Sequence, residues 1–284
     1  VEKVDEVIIE ASDLWFRYDK KQDWVLRGAS IRIQRGEFVG LLGESGAGKT
    51  TLANHLNGLL KPQRGFVRVL GRDTRRTPTS FLARHVGYLF QNPDSQIYSP
   101  TIRDEISVGL KKLGFRGEEI EDRIRWALEA VDLRKPLDIS PHILSFGERH
   151  RLAIATILAI KPEVFILDEP FSGIDYGRSL QMLGVFKKLV SEGHSVLLIA
   201  HDLQLITELA DRVLLMRRGR IVVEGSPEDI IGDPGLLEEN GYIPLQITMM
   251  AKMLGLGRIV RVNDMAKAIA DSLKDPRECM ENKE

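Results

Sequence analysis

The stretch Gly43 to Thr50, GESGAGKT, fits the spacing G-x-x-x-x-G-K-[ST] and follows directly on the apolar run Phe38-Val39-Gly40-Leu41-Leu42. That run predicts a buried strand, and Leu52, Leu56 and Leu59 beyond the loop recur at helical spacing. Strand, glycine-rich loop and helix in this order commit the chain to an α/β arrangement. The loop's residues also dictate its chemistry. The glycines let the backbone of Gly43-Glu44-Ser45-Gly46-Ala47-Gly48 turn so that successive amide N–H groups face one point, a cradle for a nucleotide's phosphates. The helix that follows, opening on Lys49, Thr50 and Thr51, adds its positive N-terminal end. Lys49 is expected to reach the terminal phosphates, and the Thr50 hydroxyl to ligate Mg²⁺.

With 284 residues, 43% of them hydrophobic, the chain can bury a large core with a small appendage. A net charge of −1 gives no overall pull toward nucleic acid. The single cysteine, Cys279, rules out an internal disulfide and suits a reducing cytosol. No apolar run has the length of a bilayer span, and no signal-peptide pattern stands at the start. A soluble protein is expected, with any membrane role supplied by a partner.

Along the chain, Val7 to Phe16 and Val25 to Ile33 are expected strands, as are Phe66 to Leu70 and His85 to Phe90, with a polar connector at 72–80. Residues 101–133 have helical spacing through Ile120, Ile124, Leu128 and Val131. A helix over 148–160 leads into Val164 to Leu167, and another precedes Ser195 to Ala200. Arg218-Gly219 marks a hairpin, and Ser226-Pro227 a helix start. From Gly241 the character changes to a Met-rich helix and a second helix, Met265 to Leu273, with Asn263 as its expected cap. Their apolar faces are too extensive for a helix pair this short to bury within itself.

The run VFILDEP, Val164 to Pro170, suits a strand covered on both faces, and ligands gather at the carboxyl ends of such strands. Asp168 and Glu169 close it on opposite sides. Asp168 suits Mg²⁺ through water, and Glu169 suits a general base that polarises an attacking water.

Together with LSFGE (Leu144 to Glu148) and the triplet Ala200-His201-Asp202, these motifs resemble, in order and spacing, the nucleotide-binding subunit of an ATP-binding cassette (ABC) transporter. The resemblance covers about residues 7–230. It implies a P-loop NTPase cassette over 7–240, with an N-terminal antiparallel β subdomain and a helical signature subdomain at about 92–160. Residues 241–284 are then a small helical C-terminal appendage. By the same resemblance Tyr18 stacks on adenine and Gln91 senses Mg²⁺, the attacking water and the membrane partner. Asp175 belongs to a segment that crosses between subunits, and His201 contacts the γ-phosphate. Two cassettes pair head to tail, so Ser145, Gly147 and Glu148 serve the partner's ATP. The usual LSGGQ is altered here to LSFGE: Phe146 and Glu148 stand where the family has Gly and Gln. Glu148 places a negative charge near a negative ligand, for which Arg149 and Arg151 are the expected compensation.

Phe90 to Ile106 and Asp138 to Ala159 resemble the ATPases of energy-coupling-factor importers, which take up vitamins or cobalt and nickel ions. That branch implies ATP and Mg²⁺ as cofactors and a second ATPase subunit, identical or related. It further implies a transmembrane scaffold, a substrate-capturing membrane protein, no nucleic acid, and a peripheral place on the cytoplasmic face of the membrane. If the chain belongs to that branch, Asp94, Asp104 and Glu105 form an acidic rim for a basic segment of the scaffold; otherwise they are solvated charges or caps of the helix near Thr101. Besides the ATPase subunit of another ABC transporter type, two other readings stay open: a soluble cassette ATPase acting on DNA or ribosomes, and a non-hydrolysing nucleotide-gated scaffold. The chain lacks a coiled-coil insertion before LSFGE, which disfavours the first. The intact Asp168, Glu169 and His201 disfavour the second.

Overall fold

The structure is a computed structural model that describes residues 6–274; Cys279 and its polar surroundings lie outside the described residues. Strands β1 (Val7–Phe16) and β2 (Leu26–Gln34) pair antiparallel. Then come β3 (Phe38–Gly43), helix α1 (Lys49–Leu56), β4 (Arg64–Val69) and the short β5 (Arg72–Asp73). Strands β1, β2, β4 and β5 form a four-stranded antiparallel sheet in the order β2-β1-β4-β5. Residues 72–80, expected as a connector, hold β5 and the start of α2 (Thr79–His85). A two-residue ladder is too short to leave a periodic signal in sequence.

After β6 (Val86–Leu89) come α3 (Ile102–Lys112), α4 (Glu118–Ala130) and α5 (Phe146–Ile160), which pack on one another as a helical layer. The helical stretch over 101–133 is two helices, because the turn between them runs through left-handed backbone at Gly114 and Gly117. Helix α4 turns Ile120, Ile124 and Leu128 inward, as their spacing requires.

The second half alternates β7 (Val164–Asp168), α6 (Tyr176–Ser191), β8 (Ser195–Ile199) and α7 (Leu203–Leu209). The hairpin β9 (Arg212–Arg217) and β10 (Arg220–Gly225) follows. The six-stranded sheet runs β10-β9-β3-β8-β7-β6, parallel except for β10. Its buried strands feed two cores by simple alternation: Phe38, Leu42, Phe165, Leu167, Val196 and Leu198 on one side, and Val39, Leu41, Ile166 and Ile199 on the other. Each such side chain contributes about 1.5–3 kcal/mol on burial, so a one-residue slip in register would be prohibitive.

Helices α8 (Pro227–Ile230), α9 (Pro234–Glu239), α10 (Gln246–Leu254) and α11 (Val262–Lys274) come next. Ser226 caps α8 with Pro227 in its first turn, as read from sequence. Helix α11 begins at Val262, so Asn263 lies inside its first turn rather than capping it. This last part of the described chain leans on the cassette: Leu237 and Val260 are buried in the larger core, with Tyr242 and Leu245 packed against it. Arg258 pairs with Asp229 and Asp233, and Arg261 with Glu228. One face stays open, with Met249, Met250, Leu254 and above all Met253, at 84% exposure, turned outward.

Candidate active site

Strands β3, β7 and β8 end side by side, and the groups that follow them converge on one cleft of about 200 Å³. Its lining includes Ser45, Gly46, Gly48, Lys49, Thr50, Thr51, Gln91, Asp168, Glu169 and His201. The loop closes on α1 through Gly48, whose φ of +104° lies in the left-handed region that a side chain disfavours. Gly43 is required by proximity: a Cβ there would stand 2.5 Å from the Met216 carbonyl oxygen of β9. Lys49 is 8% exposed and donates from Nζ to the carbonyls of Gly43 (2.6 Å) and Glu44 (3.1 Å). Burial lowers its pKa, against the pull of Glu169 and Asp168.

Asp168 is 2% exposed and accepts hydrogen bonds at Oδ2 from the Thr50 hydroxyl (2.7 Å) and the Tyr88 hydroxyl (3.2 Å). Burial raises its pKa, and the two hydroxyls oppose that rise. A hydroxyl and a carboxylate 2.7 Å apart are the hard oxygen donors that Mg²⁺ takes from a protein when phosphates supply the rest. The donor set therefore fits the ion. Glu169 has φ +51°, a left-handed conformation uncommon for a residue other than glycine and recurrent at functional positions. Burial, then the neighbouring Asp168, pushes its carboxyl up to about 7. Its Oε1 stands 3.2 Å from His201 Nε2. His201 itself is held below its usual pKa, chiefly by burial.

Tyr18 sits beside the loop, its ring exposed and edge-on to Phe16 at 5.0 Å, its hydroxyl 3.1 Å from Thr51 Oγ1. Ser145, Gly147, Glu148 and Asp175 do not line this cleft. Ser145 caps α5 and Glu148 closes a capping box with it, accepting from the Ser145 amide at 2.9 Å. Gly147 lies against Gly173, where an added Cβ would be 2.9 Å from the Gly173 carbonyl oxygen. Phe146 packs on the same glycine and meets His150 edge-on at 4.9 Å. Asp175 caps α6, accepting from the Arg178 amide at 3.0 Å.

Two expectations need correction. Arg149 and Arg151 do not offset Glu148: Arg149 pairs with Asp94 at 2.7 Å, and Arg151 is buried against the carbonyls of Val131 and Asp132. The counter-charge is Lys135, 2.9 Å from Glu148 Oε1, and with the Ser145 contacts it draws the Glu148 carboxyl down to about 2. Lys135 lies on the loop before LSFGE, thirteen positions away, where no helical spacing points to it. Nor is there a free acidic rim. Besides Asp94 with Arg149, Asp104 accepts from the Thr101 hydroxyl, and Glu105 is buried, accepting from the Tyr98 and Ser99 amides.

The sequence also gave no sign of His150. Fully buried on α5, it faces the Ser172 carbonyl with Nδ1 (2.7 Å) and the Gln91 carbonyl with Nε2 (3.1 Å). One imidazole thus ties the helix that LSFGE opens to the loops carrying Gln91 and Asp175.

The ABC transporter family profile matches residues 26–172. An ABC transporter ATP-binding protein of Caldanaerobacter subterraneus, TTE1589, is 41% identical over 88% of this chain, which spans 44% of that protein's length. The energy-coupling factor transporter ATP-binding protein EcfA of Methanocaldococcus jannaschii is 39% identical over 80% of this chain and 81% of its own. Among solved structures, cbiO1 of Clostridium perfringens, part of the ABC transporter complex cbiONQ, superposes with a TM-score of 0.72 at 28% identity, covering 88% of this chain and 99% of its own. The dimeric cassette MJ0796, in a post-hydrolysis state with ADP and phosphate, superposes with a TM-score of 0.70 at 25% identity, covering 77% of this chain and 98% of its own. The chain belongs to the ABC transporter ATP-binding family, ATPases that couple ATP hydrolysis to transport.

Proposed function

We propose that this chain is the ATP-hydrolysing subunit of an energy-coupling-factor importer that takes up a vitamin or a transition-metal ion. What supports the branch is the likeness to EcfA and to cbiO1, each extending over most of the chain. What supports the chemistry is the convergence of Lys49, Thr50, Gln91, Asp168, Glu169 and His201 on one cleft. In this reading the backbone amides of Gly43 to Gly48 cradle the phosphates, Lys49 and Thr51 hold them, and Tyr18 stacks on adenine. Thr50 and Gln91, with Asp168 through water, hold Mg²⁺, which supplies charge neutralisation at the phosphate oxygens. Glu169 takes the proton of the attacking water, and His201 reaches the γ-phosphate. Ser145 and the Gly147 amide close on the partner's ATP, with Glu148 behind them and Asp175 crossing the same junction, so that ATP joins the two chains and hydrolysis parts them.

Among the described residues no helix is long and apolar enough to cross a membrane. The protein is peripheral on the cytoplasmic face, held by a transmembrane scaffold and, through it, a substrate-capturing membrane protein. The exposed Met249, Met250, Met253 and Leu254 supply an adaptable surface for a second ATPase chain. Affinity isolation of the tagged chain from native membranes is expected to recover an integral scaffold and a second cassette. Placing Lys at Met250 and Met253 together is expected to lose the second cassette in the absence of nucleotide. Recovery with ribosomes or nucleic acid instead would overturn the assignment.

Lys135 and Glu148 permit a sharper test of the altered signature. Both side chains are partly solvated, at 40% and 20% exposure, so their pairing is screened and modest. Lys135→Ala leaves the Glu148 charge uncompensated, and is expected to weaken ATP-driven dimerisation about two- to fivefold at low salt. Glu148→Gln keeps the cap and removes that charge, and is expected to tighten dimerisation by a similar factor. Both effects shrink at high salt. Sedimentation in ATP and Mg²⁺ measures them, and salt-independent equality with wild type would mean that the partner's nucleotide does not sense this pair.

A further inference from the structure

The segment after α9 reaches back to the root of the phosphate loop. The β3–β8 ladder ends at Leu41 opposite Ile199, so the Gly43 amide lies past the last residue that β8 pairs. That N–H donates to the Tyr242 hydroxyl oxygen at 2.6 Å. Gly43 is thereby gripped at both of its backbone groups, since its carbonyl accepts from Lys49 at 2.6 Å. A second contact lies alongside: a Cβ on Gly241 would stand 2.2 Å from Glu44 Oε1, so the chain passes directly over the next residue of the loop.

Tyr242 is itself fixed from below. Its amide donates to the Leu237 carbonyl at 2.9 Å, Leu237 is fully buried, and the Tyr242 ring packs on the larger core. Helices α8 and α9 are in turn pinned to the α10–α11 segment by Arg258 and Arg261. The hydroxyl sits close enough to the chemistry to feel it. Burial, and then the charges of Glu169 and Glu44, push its pKa up to about 12, so it stays protonated.

We propose that Tyr242 is a positioning residue through which the C-terminal helices set the geometry of the phosphate loop. When Lys49 leaves the Gly43 carbonyl for a phosphate, the Tyr242 bond is the side-chain anchor that remains at the root of the loop. Without it the buried Gly43 donor is left unpaired, and the phosphate-ready loop becomes one of several conformations. The coupling is reciprocal: a partner whose docking on α10 and α11 shifts Tyr242 changes ATP affinity, and ATP changes that docking by the same factor.

This inference rests on the reading of Gly43 to Thr50 as the nucleotide's loop, and the test separates the two. Tyr242→Phe keeps the ring and removes only the hydroxyl; Tyr242→Leu removes both. In the full chain, Tyr242→Phe is expected to stay folded and melt within a few degrees of wild type, to exchange the Gly43 amide about tenfold faster, and to bind MgATP about three- to tenfold more weakly. Tyr242→Leu is expected to show the same losses together with a lower melting temperature. Wild-type Gly43 exchange and MgATP affinity in Tyr242→Phe, while Lys49→Ala fails to bind, would overturn the positioning role and leave the site intact. Wild-type binding by Lys49→Ala would overturn the site itself.

Discussion

Lys49→Ala is expected to lose ATP affinity by about 30- to 1000-fold and to abolish measurable hydrolysis. The size follows from what surrounds the ammonium. Lys49 is nearly buried, and its Nζ donates to the Gly43 and Glu44 carbonyls. The buried Asp168 and the partly buried Glu169 both have it as a nearby cation. A triphosphate entering this cleft meets those acids, and Lys49 is the one Lys or Arg among the cleft's lining residues. Charge-assisted hydrogen bonds are worth about 1.5–3 kcal/mol each, and removing this one also leaves acids facing phosphate, giving a cost of roughly 2–4 kcal/mol. Calorimetric titration with MgATP reads the loss directly. Unchanged affinity together with unchanged turnover would refute the loop's role.

Much of this site was legible because its parts are local. The strand Phe38–Gly43, the loop and the helix opening at Lys49 are adjacent in sequence, and each is fixed by the steric and hydrogen-bonding demands of the residues present. The same holds for Val164–Asp168, whose unbroken apolar run matches burial on both faces of a parallel sheet. Contacts made across long sequence separation were not legible. Tyr242 reaches Gly43 across 199 positions, and His150 reaches Gln91 across 59. Neither has a spacing rule, since only the completed sheet and helical layer bring them together. Lys135 failed to register for a related reason. Nearness in sequence made Arg149 and Arg151 the candidates for Glu148, while the fold had already committed one to Asp94 and the other to backbone carbonyls. The acidic rim dissolved in the same way, its charges consumed by caps and turn amides.

Glu169→Gln is expected to lower the hydrolytic step by about 10²–10⁴-fold while leaving ATP binding in place, so that the protein accumulates as an ATP-held dimer. The argument combines position and protonation. Glu169 leaves the end of β7 in a left-handed turn that points it away from the course of Asp168, beside His201 and the cleft. Amide for carboxyl keeps the shape and removes the base. The wild-type carboxyl, raised to about 7 by burial and by Asp168, must be ionised to take a proton. Below that pH most molecules carry it protonated, so kcat/KM is expected to fall as pH drops through about 7 and to level off above it. Burial holds His201 below its usual pKa, so its own titration is displaced to lower pH than the Glu169 inflection. In Glu169→Gln the same inflection is expected to vanish, leaving a flat, low profile over roughly pH 6 to 8. Steady-state kinetics across that range, with size-exclusion chromatography in ATP and Mg²⁺, measures both consequences. Wild-type hydrolysis by the variant, or an inflection that survives the substitution, would remove Glu169 from the role of base.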